Sequence, residues 1–166
     1  MASTPDDGAR AAPTVSVAVA DEAALVPLAG RLAAALPARA IVTLAGDLGA
    51  GKTTFVKAMA AASGIDPAAV VSPTFGLIHV HAMPPRTGGP ARLVHADFYR
   101  LAGSGELAET GWEDATSGPC WAFVEWPERI AGALPAERLD VSIRIDSETG
   151  RTFTFTPRGG LELGTW

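Results

Sequence analysis

Cysteine, lysine and long apolar runs are all scarce in this chain of 166 residues. A single cysteine, Cys120, rules out an internal disulfide, so the fold has to rest on a packed core. Its place in the apolar run 120–124 predicts a buried, unreactive thiol, in keeping with a reducing cytoplasm. No apolar run approaches the ~20 residues of a membrane-spanning helix, and no membrane association is expected. The opening MASTPDDGARAAP lacks the basic-then-apolar layout of a secretory signal; residues 1–13 read as a flexible polar extension, and the expected location is cytoplasmic. Basic charge is short as well. Thirteen Lys and Arg against 18 Asp and Glu leave a net charge of −5, which argues against a surface built to neutralise the phosphates of DNA or RNA. Any nucleic-acid role is therefore expected to be indirect. Only two of the 13 basic residues, Lys52 and Lys57, are lysines. Where arginine serves almost everywhere else, the lysine at position 52, inside a glycine-rich motif, reads as required.

Apolar residues are what the chain has in quantity, 48% against 19% charged, the composition of a globular protein. Its length suits one domain, which the patterning places at 14–158, with 159–166 left as a short tail of mixed character. Residues 14–20 alternate as a half-buried strand does, and Asp21 then offers an N-cap for a helix carrying Leu25, Leu28, Leu32 and Leu36, weakened or kinked by Pro27. The continuous apolar run 40–45 predicts a strand covered on both faces. After a glycine-rich loop, 53–62 reads as a helix with Phe55, Val56, Met59 and Ala60 toward the core and Ser63-Gly64 as its stop. Strands are expected at 77–82 and 92–96, joined by the solvent-exposed, non-catalytic connection MPPRTGGP at 83–90. A short acidic helix is expected within 105–116, a strand at 120–124 ending on Glu125, and a helix from Pro127 to Ala133. The alternating segments 139–145 and 151–156 flank the turn SETG as an antiparallel hairpin. The fold class is α/β, a mixed sheet flanked by helices with this hairpin at its C-terminal end.

The loop between the 40–45 strand and the following helix reads GDLGAGKTT. Gly46, Gly51, Lys52 and Thr53 satisfy G-x-x-x-x-G-K-[ST] in the strand–loop–helix context that the motif needs, which makes the fold P-loop NTPase-like. Its chemistry is specific. Glycines let the segment Gly46, Asp47, Leu48, Gly49, Ala50, Gly51 curl so that backbone N–H groups face the phosphates, while the helix N-terminus adds partial positive charge. Lys52 is expected to reach the β- and γ-phosphates of ATP, the Thr53 hydroxyl to bind Mg²⁺, and Thr54 to border the nucleotide. Lys57, one turn on, reads as a solvated surface charge. Such a site also needs an acid near the metal and a group to orient the attacking water or hydroxyl. Asp97 and Glu125 each close a strand at the carboxyl edge of the sheet, where ligands bind. Either could instead cap a helix or meet an arginine.

Four blocks, GDLGAGKTTF at 46–55, SPTF at 72–75, HADFYRL at 95–101 and VEWPERI at 124–130, occur in the order seen in the TsaE (YjeE) family, and the chain beyond residue 14 resembles that family along most of its length. The resemblance implies a bacterial Mg²⁺-dependent ATPase of the machinery that makes threonylcarbamoyladenosine beside the anticodon of certain tRNAs. Its expected partners are TsaB-like and TsaD-like proteins, with tRNA reached through the complex. It further implies that Thr74 senses the γ-phosphate and metal, that Asp97 and Glu125 bind Mg²⁺ and promote hydrolysis, and that Trp126 sits near the nucleotide. Taken alone, Thr74 is equally a turn residue and Trp126 a core aromatic. Tyr99 and Arg100 either support the switch, contact a partner, or simply pack and pair. His81 stands where many relatives carry tyrosine. His79 and His81 share one face of a strand but lack a third ligand for zinc. The alternative is a small-molecule kinase, which uses the same loop but requires an arginine-bearing lid; no arginine-rich segment follows the fourth block. A GTP switch has no N-K-x-D sequence to read guanine.

Overall fold

The apolar run AIVTLA is buried along nearly its whole length because it forms the central strand of a seven-stranded sheet. The computed structural model describes residues 12–73 and 77–166. Strands and α-helices follow in the order β1 (Val15–Val19), α1 (Leu25–Ala35), β2 (Ala40–Ala45), α2 (Lys52–Ala62), β3 (Ile78–Ala82), β4 (Arg92–Asp97), α3 (Trp112–Ala115), β5 (Cys120–Glu125), β6 (Arg138–Ile145) and β7 (Arg151–Arg158). The sheet order is β1-β7-β6-β2-β5-β4-β3. β2 pairs in parallel with β5 and β6, and β4 in parallel with β5; the outer pairs β1–β7, β6–β7 and β3–β4 are antiparallel. This is the expected mixed sheet with its C-terminal hairpin, to which β1 adds a further strand on the outer side of β7. Among the described residues no helix is long and apolar enough to cross a membrane.

Both faces of the central strands are covered, and alternation along them divides the core in two. Val42 and Leu44 of β2 with Trp121 and Phe123 of β5 face α1, α2 and the Phe55–Phe153–Phe155 cluster. Ile41, Ala122 and Val124 face Phe98, Leu107, Trp112 and Ile130 on the other side. Cys120 lies fully buried there, and desolvation pushes its thiol above the ordinary value, against the pull of Arg39 and Arg92. The thiol is thus buried as expected.

Several local expectations are corrected. Asp21 does not cap α1: its Oδ1 accepts Ala24 N–H at 3.0 Å within a turn that precedes the helix, whose N-cap position is Ala24. Pro27 neither breaks nor ends α1, because it occupies the first turn, where backbone N–H groups have no partner within the helix. The 105–116 segment divides into a 3₁₀ stretch, Ser104–Thr110, and the short α3, since Gly111 adopts φ 80° between them. Pro127–Ala133 is 3₁₀ with a break at Ile130 rather than a regular helix. Seven residues containing glycine lack the length and propensity to sustain one. β3 begins at Ile78 because Leu77, at φ 60°, leaves the extended region. The 83–90 connection is exposed only in its middle: Met83 and Pro90 are buried, and the Arg86 guanidinium lies 5.1 Å from the Trp121 ring centroid.

α2 ends as its Ser63-Gly64 signal predicts, in a Schellman motif. Ile65 N–H reaches Ala60 O at 2.9 Å and Gly64 N–H reaches Ala61 O at 3.1 Å, with Gly64 at φ 81°. Residues 159–166 return to the core. Leu161 is buried, Gly164 N–H donates to Ala35 O at 2.8 Å, and Trp166 stands edge-on to Phe155 at 4.7 Å. Leu161→Ala should therefore cost about 2–5 kcal/mol in urea unfolding, whereas exposed Glu162→Ala should stay within about 0.5 kcal/mol of the parent. Equal midpoints for the two variants would show that the C-terminal segment contributes nothing to the core.

Candidate functional site

The glycine loop leaves β2 through a space that admits no side chain. A Cβ on Gly46 would lie 2.8 Å from Ile143 O and 2.9 Å from the Ala50 Cβ, so the loop is wedged against β6 where it starts. It then turns back through an Ala50 N–H to Asp47 O bond of 2.9 Å, with Gly49 at φ 81° and Gly51 at φ 102° immediately before α2. Leu48 projects at the tip, 87% exposed, while Ala50 is buried. Lys52, the first residue of α2, folds back over the loop: its Nζ donates to Gly46 O at 2.7 Å and Asp47 O at 3.3 Å and lies 4.6 Å from the Trp126 ring centroid. A cation at a helix N-terminus sits at the wrong end of the dipole. These carbonyls and the indole face offset that, and together the ammonium and the helix end make a strongly anion-seeking corner.

Opposite the loop stand two buried carboxylates. Asp97 and Glu125 close β4 and β5 side by side in the parallel register and are 3% and 4% exposed, too little for water alone to solvate them. Glu125 Oε1 accepts the Thr53 hydroxyl at 2.7 Å and meets His95 Nε2 at 2.8 Å; Asp97 Oδ1 accepts the Tyr99 N–H at 2.9 Å. Trp126 follows with φ 57° and ψ 52°, an uncommon conformation for a bulky residue, its ring 4.8 Å from that of Tyr99. Leu48, Gly49, Ala50, Gly51, Lys52, Thr53 and Thr54 join Ser72, Asp97, Tyr99, Glu125 and Trp126 around a cleft of about 500 Å³. Gly46 and Asp47 take part through their carbonyls. Thr74 lies outside the described residues; Ser72, two positions before it, borders the cleft.

The donors suit a hard cation shared with a phosphate. Among the described residues no three His, Cys, Asp or Glu side chains group so as to hold a metal alone. The Thr53 hydroxyl and the carboxylates of Glu125 and Asp97 are all oxygen donors, and Mg²⁺ takes one or two carboxylates together with substrate phosphates rather than a closed protein cage. His79 and His81 lie on the adjoining β3, with His79 opposite His95 of β4; burial above all, then the neighbouring His79 and His95, holds His81 below the ordinary histidine value.

The family model "Threonylcarbamoyl adenosine biosynthesis protein TsaE" matches residues 19–153. This chain belongs to the TsaE family. Curated TsaE proteins similar to it include that of Treponema pallidum, 35% identical over 140 residues spanning 84% of this chain and 96% of the relative. That of Bacillus subtilis is 39% identical, over 72% of this chain and 70% of its own. The Streptomyces coelicolor protein is 39% identical, with 75% and 80% covered. Each carries the name tRNA threonylcarbamoyladenosine biosynthesis protein TsaE. The crystal structure of Bacillus subtilis YdiB superimposes with a TM-score of 0.68 at 31% identity, covering 89% of this chain and 87% of that one, so the P-loop NTPase-like fold is shared.

Within this TsaE-family site, sequence reasoning passed over His95. The signal was present: His95 and Asp97 are two apart on one strand and so share a face, the face on which Asp97 meets Glu125. In a double-mutant cycle of His95→Leu and Glu125→Met, urea unfolding should give a coupling of about 1–3 kcal/mol, since each single change strands a buried polar partner. Strict additivity would mean that the two side chains do not support one another.

Proposed function

We propose that the chain binds Mg-ATP in this cleft and hydrolyses it as an accessory ATPase of the tRNA threonylcarbamoyladenosine machinery, the process for which its relatives are named. The observation that carries the reading is the contact between Thr53, at the start of the phosphate-loop helix, and Glu125, at the end of the neighbouring strand. It joins an anion-binding corner to a carboxylate in one cleft, which a purely structural glycine turn has no need to do.

Each residue then has a defined task. The loop N–H groups and the helix N-terminus receive the phosphates, and Lys52 exchanges its carbonyl partners for β- and γ-phosphate oxygens. Thr53 with Glu125 and Asp97 would hold Mg²⁺, which would supply positive charge against that developing on the phosphates. Glu125 keeps Oε1 engaged by Thr53 and His95, which leaves Oε2 to orient the attacking water. As the bond from that water to the γ-phosphorus forms, the bond from γ-phosphorus to the bridging oxygen breaks, the water's proton passes to an oxygen of the transferred phosphoryl group, and ADP and phosphate leave. Trp126 and Tyr99 wall the cleft on the side of the acids. An acidic chain is poorly suited to grasp tRNA, so TsaB-like and TsaD-like partners are assigned that contact. The kinase alternative has no comparable support, since the relatives are named for tRNA modification.

Lys52→Ala should weaken Mg-ATP binding by about 10- to 100-fold in calorimetry, because charge-assisted hydrogen bonds to phosphate are lost. Glu125→Gln should bind normally yet turn over about 100-fold or more slowly in single-turnover assays. Normal affinity in the first variant together with normal turnover in the second would sink the catalytic assignment. Steady-state hydrolysis should be slow for the isolated chain and change when cognate TsaB- and TsaD-type proteins are added, as partners that order a P-loop site can raise rates by ~10³-fold or more. In a reconstituted threonylcarbamoylation assay, Lys52→Ala should fail where the parent succeeds; full modification without the chain would refute its place in the machinery.

A further inference from the structure

Arg151 opens β7, immediately after the 146–150 turn of the C-terminal hairpin, and no P-loop motif includes it. Its guanidinium nevertheless reaches the loop. Nε donates to Ala50 O at 3.1 Å and Nη2 to Gly49 O at 3.3 Å, while Nη1 holds the hairpin turn through Ser147 O at 3.0 Å and Gly150 O at 2.9 Å. One planar fork thus ties together two segments a hundred residues apart, a task for which a lysine ammonium lacks both the reach and the fixed geometry.

The consequence follows from peptide planarity. In a trans peptide the carbonyl and the next N–H point in opposite directions. Capturing Gly49 O turns Ala50 N–H away from Arg151, where it closes the loop onto Asp47 O at 2.9 Å. Capturing Ala50 O turns Gly51 N–H away likewise. Packing fixes the buried Ala50 side chain but not the glycines on either side of it: a Cβ on Gly49 would meet nothing within 4 Å, and one on Gly51 only Thr54 at 4.0 Å. The loop is wedged at Gly46 and packed at Ala50; around Ala50 its peptides are flanked by two glycines at positive φ, whose rotation the Arg151 hydrogen bonds restrain.

We propose that Arg151 is a positioning residue of the phosphate site, setting the direction of the Gly51 N–H by holding the Gly49 and Ala50 carbonyls, and that the hairpin turn is therefore part of the nucleotide-binding unit. The proposal rests on the Mg-ATP reading of the cleft only for the identity of the ligand. Arg151 touches no reacting atom; it acts through the loop backbone.

The test compares Arg151→Ala and Arg151→Lys with Arg144→Ala, a control on the same hairpin whose side chain bonds Asp146 and Thr152 and does not reach the loop. Two readouts are needed: Mg-ADP affinity by calorimetry, and the backbone amide resonances of Gly49, Ala50 and Gly51 in the nucleotide-free protein. Both Arg151 variants should bind Mg-ADP about 10-fold or more weakly and shift the loop amides while leaving those of β2 and β5 in place; Arg144→Ala should match the parent in both. Parent-like affinity and loop amides in Arg151→Lys, or equal losses in Arg151→Ala and Arg144→Ala, would overturn the proposal. If Arg151→Ala fails to fold, Arg151→Lys decides. If the parent itself does not bind Mg-ADP, the nucleotide reading falls, and the amide shifts still decide whether Arg151 sets the loop.

Discussion

Everything at the site depends on the parallel pairing of β2 with β5. That register sets Leu44 opposite Glu125, so the strand that launches the glycine loop and the strand that ends in the carboxylate finish at the same height. Parallel strands present their carboxyl ends on one edge, and the loop, the acids and Trp126 are gathered there by backbone geometry before any side-chain contact forms. Sliding β5 by one residue would turn Glu125 to the opposite face and leave Thr53 without its partner.

Charge explains why such an edge stays open. Lys52 and the N-terminus of α2 contribute positive potential on one side of the cleft, and Asp97 with Glu125 contributes two nearly dry carboxylates on the other. Within the site these are reconciled by short hydrogen bonds: loop carbonyls accept from Lys52, and Thr53 and His95 converge on Glu125. A phosphate chain with a divalent cation presents the complementary arrangement, negative toward the loop and positive toward the acids. The conformation of Trp126, left-handed and set between Lys52 and Tyr99, belongs to the same economy of space. The αL conformation places the indole on the cleft wall where an extended residue would have continued β5.

The C-terminal hairpin gives the fold its asymmetry. β6 pairs with β2 on the side away from the acids, and β7 carries Arg151 back to the loop. The loop is consequently bracketed by β5 on one flank and the hairpin on the other. A segment that reads as a peripheral ornament is in contact with the centre of the molecule.

Much of this protein was determined by local sequence. The run 40–45, the glycine pattern after it and the Ser63-Gly64 stop define strand, loop and helix by themselves, because burial on both faces, positive φ and a Schellman end are written in residues adjacent along the chain. The four motif blocks were likewise sufficient to identify the TsaE family. Tertiary structure alone decided which side chains share an atom. His95 and Thr53 are 42 residues apart by number and meet on one oxygen of Glu125, and Arg151 finds the carbonyls of Gly49 and Ala50 across the sheet. It also decided that Leu161 and Trp166 close the core, and that Pro27 falls harmlessly in a first turn. The division has a physical cause: backbone conformation responds mainly to neighbours in sequence, whereas hydrogen-bond partners are set by strand order and register, which no short stretch of sequence encodes.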